Sequence, residues 1–374
     1  MDYIRLGDLC IINSGGTPKR NNESYWKNGD IPWVKISDLK NGVVESTEEF
    51  ITLDGLKNSS AKIFPQGTLL YTIFATIGEV AILNIDAATN QAVVGLQLKE
   101  NQKVYLKYIY YYLKSQTNNI KQLGRGVAQN NINLSVVKNM IIPIVSLEKQ
   151  SNIIATLSKI EKIKENRIII LNYLDDLIKS RFVEMFGTFN ANSTNINTIK
   201  FKDLIEQNKI NKEDGIWLLN LDMIKPNNGE IIEKVYINSQ NIPTSSISFK
   251  KGDVLYSKLR PYLNKVVIAD ENGFGTSELI PLNSYKCGLN AEYLAYYLRQ
   301  DSFVEYIKDK VSGAKMPRVS MDVLRNLDID RPNYISQKQF SNFVYQINKL
   351  KSDVQKSIDE TQLLMDSLMQ EYFG

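Results

Sequence analysis

The chain has 374 residues, 43% of them hydrophobic, with a formal net charge of +4 and a pI near 8.7. That length exceeds one typical domain and allows two or three, and the mildly basic charge suits a nucleic-acid partner without requiring one. The absence of histidine excludes Ser-His-Asp and Cys-His catalysis and His-ligated metals, while Cys10 and Cys287 alone cannot build a disulfide framework or a zinc site.

Residues 1–146 carry short β-rich runs at 33–36, 69–74, 80–83 and 93–98. Turn signals at Ser14-Gly-Gly-Thr-Pro18, Asn41-Gly42 and Pro65-Gln-Gly67 separate them. A helix is expected over about Leu106–Ser115. The pattern is α+β, without regular βαβ alternation. From Leu147 the period changes. Ile153, Leu157, Ile160, Leu171, Leu174 and Ile178 fall on a seven-residue seam, with Lys164 and Arg167 in its middle. No Gly or Pro interrupts 144–186, so one helix of about 60 Å is expected, stopped by Gly187. Residues 188–200 are polar and turn-prone, a linker by composition. A second mixed region follows over 201–334, with strands near Trp217–Leu221, Val254–Tyr256 and Lys265–Ala269 and a helix near Ala291–Arg299. A second long helix runs from about Ser336 to Phe373, its seam Ile347, Leu350, Val354, Thr361, Leu364 and Leu368. The expected domains are therefore 1–146, 147–187, 188–200 as linker, 201–334 and 335–374.

The two halves echo each other. Glu184-Met-Phe-Gly187 returns as Glu371-Tyr-Phe-Gly374, and Tyr108-Ile-Tyr-Tyr-Tyr-Leu113 as Tyr293-Leu-Ala-Tyr-Tyr-Leu298. Trp33 matches Trp217, Gly126 matches Gly313, and Lys149-Gln150 aligns with Lys338-Gln339. Each long helix has an apolar stripe and a charged opposite face, so pairing the two as an intramolecular antiparallel coiled coil buries both seams. The expected geometry is a spacer with a globular reader at each tip. Separate core helices in separate domains are the alternative.

Neither Gly-x-x-x-x-Gly-Lys nor Gly-x-Gly-x-x-Gly after a strand occurs, so no nucleotide cofactor is expected. No apolar run approaches 18 residues, and Met1-Asp-Tyr-Ile-Arg-Leu6 lacks the core of a signal peptide. A cytoplasmic protein without membrane contact, catalytic residues or a metal site is expected.

Several motifs carry a family resemblance across essentially the whole chain. Gly15-Gly-Thr-Pro18 with Ile31-Pro-Trp-Val34, Thr76-Ile-Gly78, and Gly126-Val-Ala-Gln-Asn-Asn-Ile132 lie in the first half. Leu255-Tyr-Ser-Lys-Leu-Arg-Pro-Tyr-Leu-Asn-Lys265 and Ser312-Gly-Ala-Lys-Met-Pro-Arg-Val319 lie in the second, and Leu147-Glu-Lys-Gln150 and Ser336-Gln-Lys-Gln339 open the helices. The chain resembles the specificity subunit of a type I restriction-modification system. The resemblance implies two target-recognition domains reading the halves of a bipartite, asymmetric site in double-stranded DNA. It also implies helices that dock two methyltransferase subunits, which use S-adenosylmethionine, and restriction-translocase subunits that use ATP with Mg. The chain itself would do no chemistry. A methylation-only system and a non-DNA coiled-coil scaffold are the alternatives.

Candidate DNA contacts follow from residue type. Lys258, Arg260, Tyr262 and Asn264 would share one face of a strand, although Pro261 interrupts the alternation. Such cationic and amide groups suit phosphate positioning and base-edge readout. Lys315 and Arg318 flank Met316-Pro317 after Gly313, against Gln129, Asn130 and Asn131 at the equivalent place in the first half. Thr17, Lys19 and Arg20 follow a Gly-Gly turn. The tyrosines of 105–112 recur at helical spacing and read as core. Leu157, Ile160, Leu171, Leu174, Ile347, Leu350, Val354 and Leu364 are the helix positions assigned to pairing and partners.

Overall fold

A computed structural model describes residues 2–40, 42–124, 131–190, 197–206, 210–211, 214–313 and 315–374. The chain forms two compact units, one of 1–166 with 357–374 and one of 167–356. The division therefore falls inside both long helices, not at their ends.

The first unit contains two sheets. One has the order Glu49–Ile51, Ile31–Val34, Ala87–Thr89, Ile63–Phe64, with the middle two strands parallel. The other has the order Cys10–Ser14, Val93–Leu98, Leu69–Thr72, Val80–Leu83, Val43–Val44. The second unit repeats the first sheet strand for strand as Val235–Ile237, Ile216–Leu219, Gly273–Gly275, Ile247–Phe249, again with a parallel central pair. Its other sheet keeps Leu279–Leu282, Val254–Ser257 and Val266–Ile268. A two-stranded ribbon closes each unit: Asp2–Arg5 with Ile141–Ile144, and Thr198–Lys200 with Asp328–Asp330. The second ribbon begins inside the segment read as linker, at Thr198.

The aromatic helices Leu106–Ser115 and Ala291–Arg299 fall where the sequence places them. Tyr108, Tyr110, Tyr111 and Tyr112 are buried, with Tyr108 and Tyr112 giving their hydroxyls to the carbonyls of Pro143 and Ile141, both at 2.8 Å. Burying a phenol is tolerable only with such a partner.

The long helices run Leu147–Phe186 and Tyr334–Phe373, 40 residues each. Each unit takes a segment of both. In the first, Leu157 and Ile160 share a core with Tyr108, Met365, Met369 and Phe373, and the Lys164 ammonium reaches the Gln362 side chain at 2.5 Å. In the second, Asp175 binds Lys351 at 2.5 Å, and the Phe182 ring meets Phe340 at 5.2 Å. The partner's number falls as the first helix advances, so these segments are antiparallel.

The observed seam corrects the expected one. Ile347, Val354, Thr361 and Leu368 do turn inward or partly inward, but Leu350 and Leu364 are 51% and 50% exposed. Lys351, Ile358 and Met365 take their places. Both i+3 and i+4 neighbours fit a seven-residue period, and here the fourth residue faces the partner helix. Leu171 and Leu174 are half-buried.

The alignment of the helix starts also needs correction. Gln150 is buried; its amide donates to the carbonyls of Lys103 and Val145 at 3.1 and 2.8 Å, and its oxygen accepts from the Tyr105 N–H at 3.0 Å. Gln337, not the exposed Gln339, does the same. It donates to Gly288 and Pro332 at 3.3 and 2.8 Å and accepts from the Asn290 N–H at 2.7 Å. Each glutamine ties a long helix to the start of an aromatic helix through main-chain groups alone. Gln337→Leu leaves those groups unpaired in a dry site and is expected to cost about 1–3 kcal/mol, measured as a lowered urea midpoint.

Candidate nucleic-acid interface

In both units the strand that begins the second sheet's central hairpin runs on into a loop, and a second loop zips onto it. In the first unit, Phe74 bridges Asn131, and the Ile132 N–H donates to the Ile73 carbonyl at 3.0 Å. In the second, Leu259 bridges Arg318, and the Val319 N–H donates to the Lys258 carbonyl at 3.1 Å. The next residue, Ala75 or Arg260, is left-handed in each case, with φ of 57° and 46°. A non-glycine residue held there stores roughly 1–3 kcal/mol of strain, and the same strain occurs at the same point of both repeats. The turn residue just before a third strand backs each junction. The Ile73 N–H binds the Ala92 carbonyl at 2.8 Å, and the Lys258 N–H binds the Glu278 carbonyl at 3.0 Å.

The second unit's junction gathers its expected cations. Val311–Ser312 pairs with Arg318–Val319, and exposed Lys315 and Met316 lie just before the second of these strands. The Arg260 N–H donates to the Pro317 carbonyl at 2.8 Å, bringing 257–265 against that strand pair. Exposed Arg260 and Tyr262 and half-exposed Lys258 and Arg318 therefore lie on two loops joined by main-chain bonds.

One expectation fails here. Residues 258–264 do not form an alternating strand. Pro261–Leu263 is a short 3-10 turn between left-handed Arg260 and Asn264. Asn264 is 5% exposed, and its amide donates to the Arg299 carbonyl at 2.9 Å. It is a structural residue that pins the turn to the aromatic helix, not a DNA contact.

Arg318 is anchored by a residue that the sequence did not single out. Its Nε donates to Glu278 Oε1 at 2.9 Å, and its Nη2 is in ion-pair contact with the same oxygen at 2.8 Å. Glu278 faces inward, and nothing local in its sequence marks it; only the register of the repeat, in which it stands where Ala92 does, could have drawn notice.

In the first unit, Gln129 and Asn130 lie outside the described residues, while Asn131 sits at the bridge. The Gly-Gly turn packs against the end of strand Ala87–Thr89 and against Ser60 and Ala61. A Cβ on Gly15 would fall 2.0 Å from Thr89 Oγ1, and one on Gly16 2.3 Å from the Ala61 nitrogen, so only glycine allows this approach. Thr17 then hydrogen-bonds Gln91, next to Ala92. Lys19 is exposed, and its carbonyl accepts from Trp26 Nε1 at 3.1 Å. Arg20 pairs with Glu49 and lies 3.8 Å over the Trp26 ring. Burial pushes the Glu49 carboxyl up, but Arg20 and Lys35 outweigh it and hold the group below the usual carboxylate range. Arg20 is thus engaged in a surface ion pair within its own unit, which neither the Gly-Gly turn nor the run of cations revealed.

Of the helix positions, Leu157, Ile160 and Ile347 are buried within their own units and are not presented to a partner. The exposed apolar side chains of the first helix instead include Ile163, Ile168, Ile169, Ile170, Tyr173, Leu177 and Val183. Among the described residues, no helix is long and apolar enough to cross a membrane, and no group of three or more His, Cys, Asp or Glu converges on a metal position.

Comparison with known proteins places this architecture. Residues 1–173 match the family described as the type I restriction modification DNA specificity domain. The type I restriction enzyme MjaIX specificity subunit of Methanocaldococcus jannaschii is 24% identical over 404 aligned positions, covering 98% of this chain and 91% of that protein. The Escherichia coli EcoprrI specificity subunit is 31% identical over 116 residues, 30% of this chain and 28% of its own. A solved chain from work on complex assembly and conformational transition of the type I R-M system superposes with a TM-score of 0.61 at 17% identity, covering 99% and 97% of the two chains.

Proposed function

We propose, from the premise that this chain belongs to the type I restriction-modification specificity subunits, that it reads double-stranded DNA as two unlike half-sites, one at each junction. The carrying observation is the duplicated junction with unlike side chains. The backbone frame is repeated, from the bridge to the strained residue, while Asn131 stands in one and Arg318 in the other. A frame kept constant while its outward groups diverge suits two readers of different sequence. Arg forks onto guanine, and Asn pairs with adenine, while Lys258, Arg260 and Lys315 offer phosphate contacts.

The chain supplies recognition and no catalytic group. Methylation of adenine would belong to two methyltransferase subunits carrying S-adenosylmethionine, and cleavage to ATP-driven restriction subunits. Exposed Ile170, Tyr173 and Leu177, three and four residues apart on one face, support protein docking on the first long helix, because apolar groups in such a row are otherwise left in water.

Sequencing the methylated bases of cells that carry this chain and its methyltransferase is expected to give a split motif with a fixed gap and unlike halves. A continuous or palindromic motif would sink the proposal.

A further inference from the structure

Arg318 reaches the surface from a carboxylate that does not. Glu278 is turned inward, its side chain 17% exposed against 43% for Arg318. Its Oε2 is buried and without a hydrogen-bond partner among the described residues. All the side-chain hydrogen bonding found for this carboxylate therefore runs through Oε1, on which Nε and Nη2 of Arg318 converge at 2.9 and 2.8 Å.

The donor count then decides what the guanidinium can do. It has five N–H donors in a fixed plane. Nε–H is held by Oε1 and Nη2 lies in ion-pair contact with the same oxygen, which among the described residues leaves Nη1 and the far N–H of Nη2 for another acceptor. The far N–H of Nη2 and one N–H of Nη1 form the end of the fork, beyond the edge that the carboxylate grips. A fork fixed along one edge and open at its tip matches the paired O6 and N7 acceptors of guanine. An unheld arginine would have to lose its rotamer freedom on binding.

The repeat adds an independent observation. The row Glu278, Lys258-Leu259, Arg318 corresponds to Ala92, Ile73-Phe74, Asn131, strand for strand and hydrogen bond for hydrogen bond. Where the outward residue is Arg, the backing residue is Glu. Where it is Asn, the backing residue is Ala, and it is buried. The pair differs as a unit on an otherwise constant frame.

We propose that Glu278 is a positioning residue for base readout: it holds the Arg318 guanidinium by one edge and presents its tip to a guanine of the half-site read by the second unit. Glu278 touches no DNA itself. The proposal rests on the DNA-reading role of the junction.

The test uses the full chain assembled with its methyltransferase, the motif read by methylome sequencing and by competition among duplexes substituted one base pair at a time. Glu278→Ala is expected to lower discrimination at a single G·C position of one half-site by roughly tenfold or more, leaving the other half and the gap unchanged. Arg318→Ala should relax the same position. Glu278→Gln, which keeps an acceptor oxygen but not the charge, should retain a preference between wild type and Glu278→Ala. An unchanged motif in Glu278→Ala overturns the proposal. So does a uniform loss at every position of that half with a lowered melting temperature, which marks a merely structural residue. If Glu278→Ala does not fold, Glu278→Gln decides: wild-type preference at the position relaxed by Arg318→Ala sinks the idea. Failure of the broader reading looks different, because the wild-type complex would then show no split motif at all.

Discussion

On the proposed function, exchanging residues 1–146 for the corresponding domain of a type I specificity subunit is expected to replace one half of the methylated motif and leave the other half unaltered. The expectation rests on what crosses the graft boundary. Gln150 reaches back to Lys103, Tyr105 and Val145 through carbonyls and an N–H, which any sequence provides. Glu161 also crosses the boundary, accepting from the Tyr111 hydroxyl at 2.6 Å and the Lys114 ammonium at 2.7 Å, so the donor must keep a hydroxyl and a cation there. Apolar contacts complete the seam, with Leu157, Ile160, Met365, Met369 and Phe373 packed with Tyr108 and Tyr112. The Tyr108 and Tyr112 rings lie 5.1 and 6.1 Å from that of Phe373. A donor that keeps aromatic residues at those two places should seat without a cavity, since cores tolerate exchanges that conserve volume. Methylome sequencing of the chimera reads the outcome. A motif changed in both halves, or in neither, would show that the two junctions do not read independently.

Phe182→Ala should produce the largest loss of stability. The ring is buried where the first long helix meets the second unit, with Phe186, Phe340 and Tyr293 at 5.0, 5.2 and 5.5 Å. Removing a buried Phe typically costs about 3–5 kcal/mol, because the cavity adds to the lost transfer energy. For a unit of this size, that corresponds to a fall in melting temperature on the order of 10 °C. Tyr173→Ala is the contrast. That side chain is 68% exposed, so its removal should change stability by no more than about 0.5 kcal/mol. It should instead weaken co-purification of the methyltransferase. A Phe182→Ala chain that melts like wild type would mean the helix segment is not part of that core.

Much of the scaffold was legible in the sequence. Val80–Leu83, Val93–Leu98, Leu106–Ser115 and Ala291–Arg299 fall where their patterns put them, because continuous apolar strands and 3.6-residue spacing are local signals. The long helices are equally plain, since nothing breaks them. The errors share a cause: each depends on a partner distant in the chain. Leu350 and Leu364 fit the helical period, and only the facing helix shows that the side of Ile358 and Met365 wins. The Lys-Gln pair of 149–150 repeats at 338–339, but the contact with Asn290 belongs to Gln337. Arg260 and Asn264 read as strand positions, since left-handed backbone at non-glycine residues is imposed by the surroundings. The candidate site was legible as a set of cations. Which of them face outward depends on Glu49, Glu278 and Arg299, all distant in sequence.

The division of the long helices has a further consequence. The first unit is completed by 357–374, from the end of the chain, and the second by 167–186, from its first half. Those two segments are equivalent in the repeat, ending Glu184-Met-Phe-Gly187 and Glu371-Tyr-Phe-Gly374. Each half of the sequence therefore lends its final helical turns to the other half's core and borrows the matching turns in return. That is the logic of a domain-swapped dimer, here written into one polypeptide. A break after Gly187 leaves neither half self-sufficient, yet together the pieces still hold every part needed.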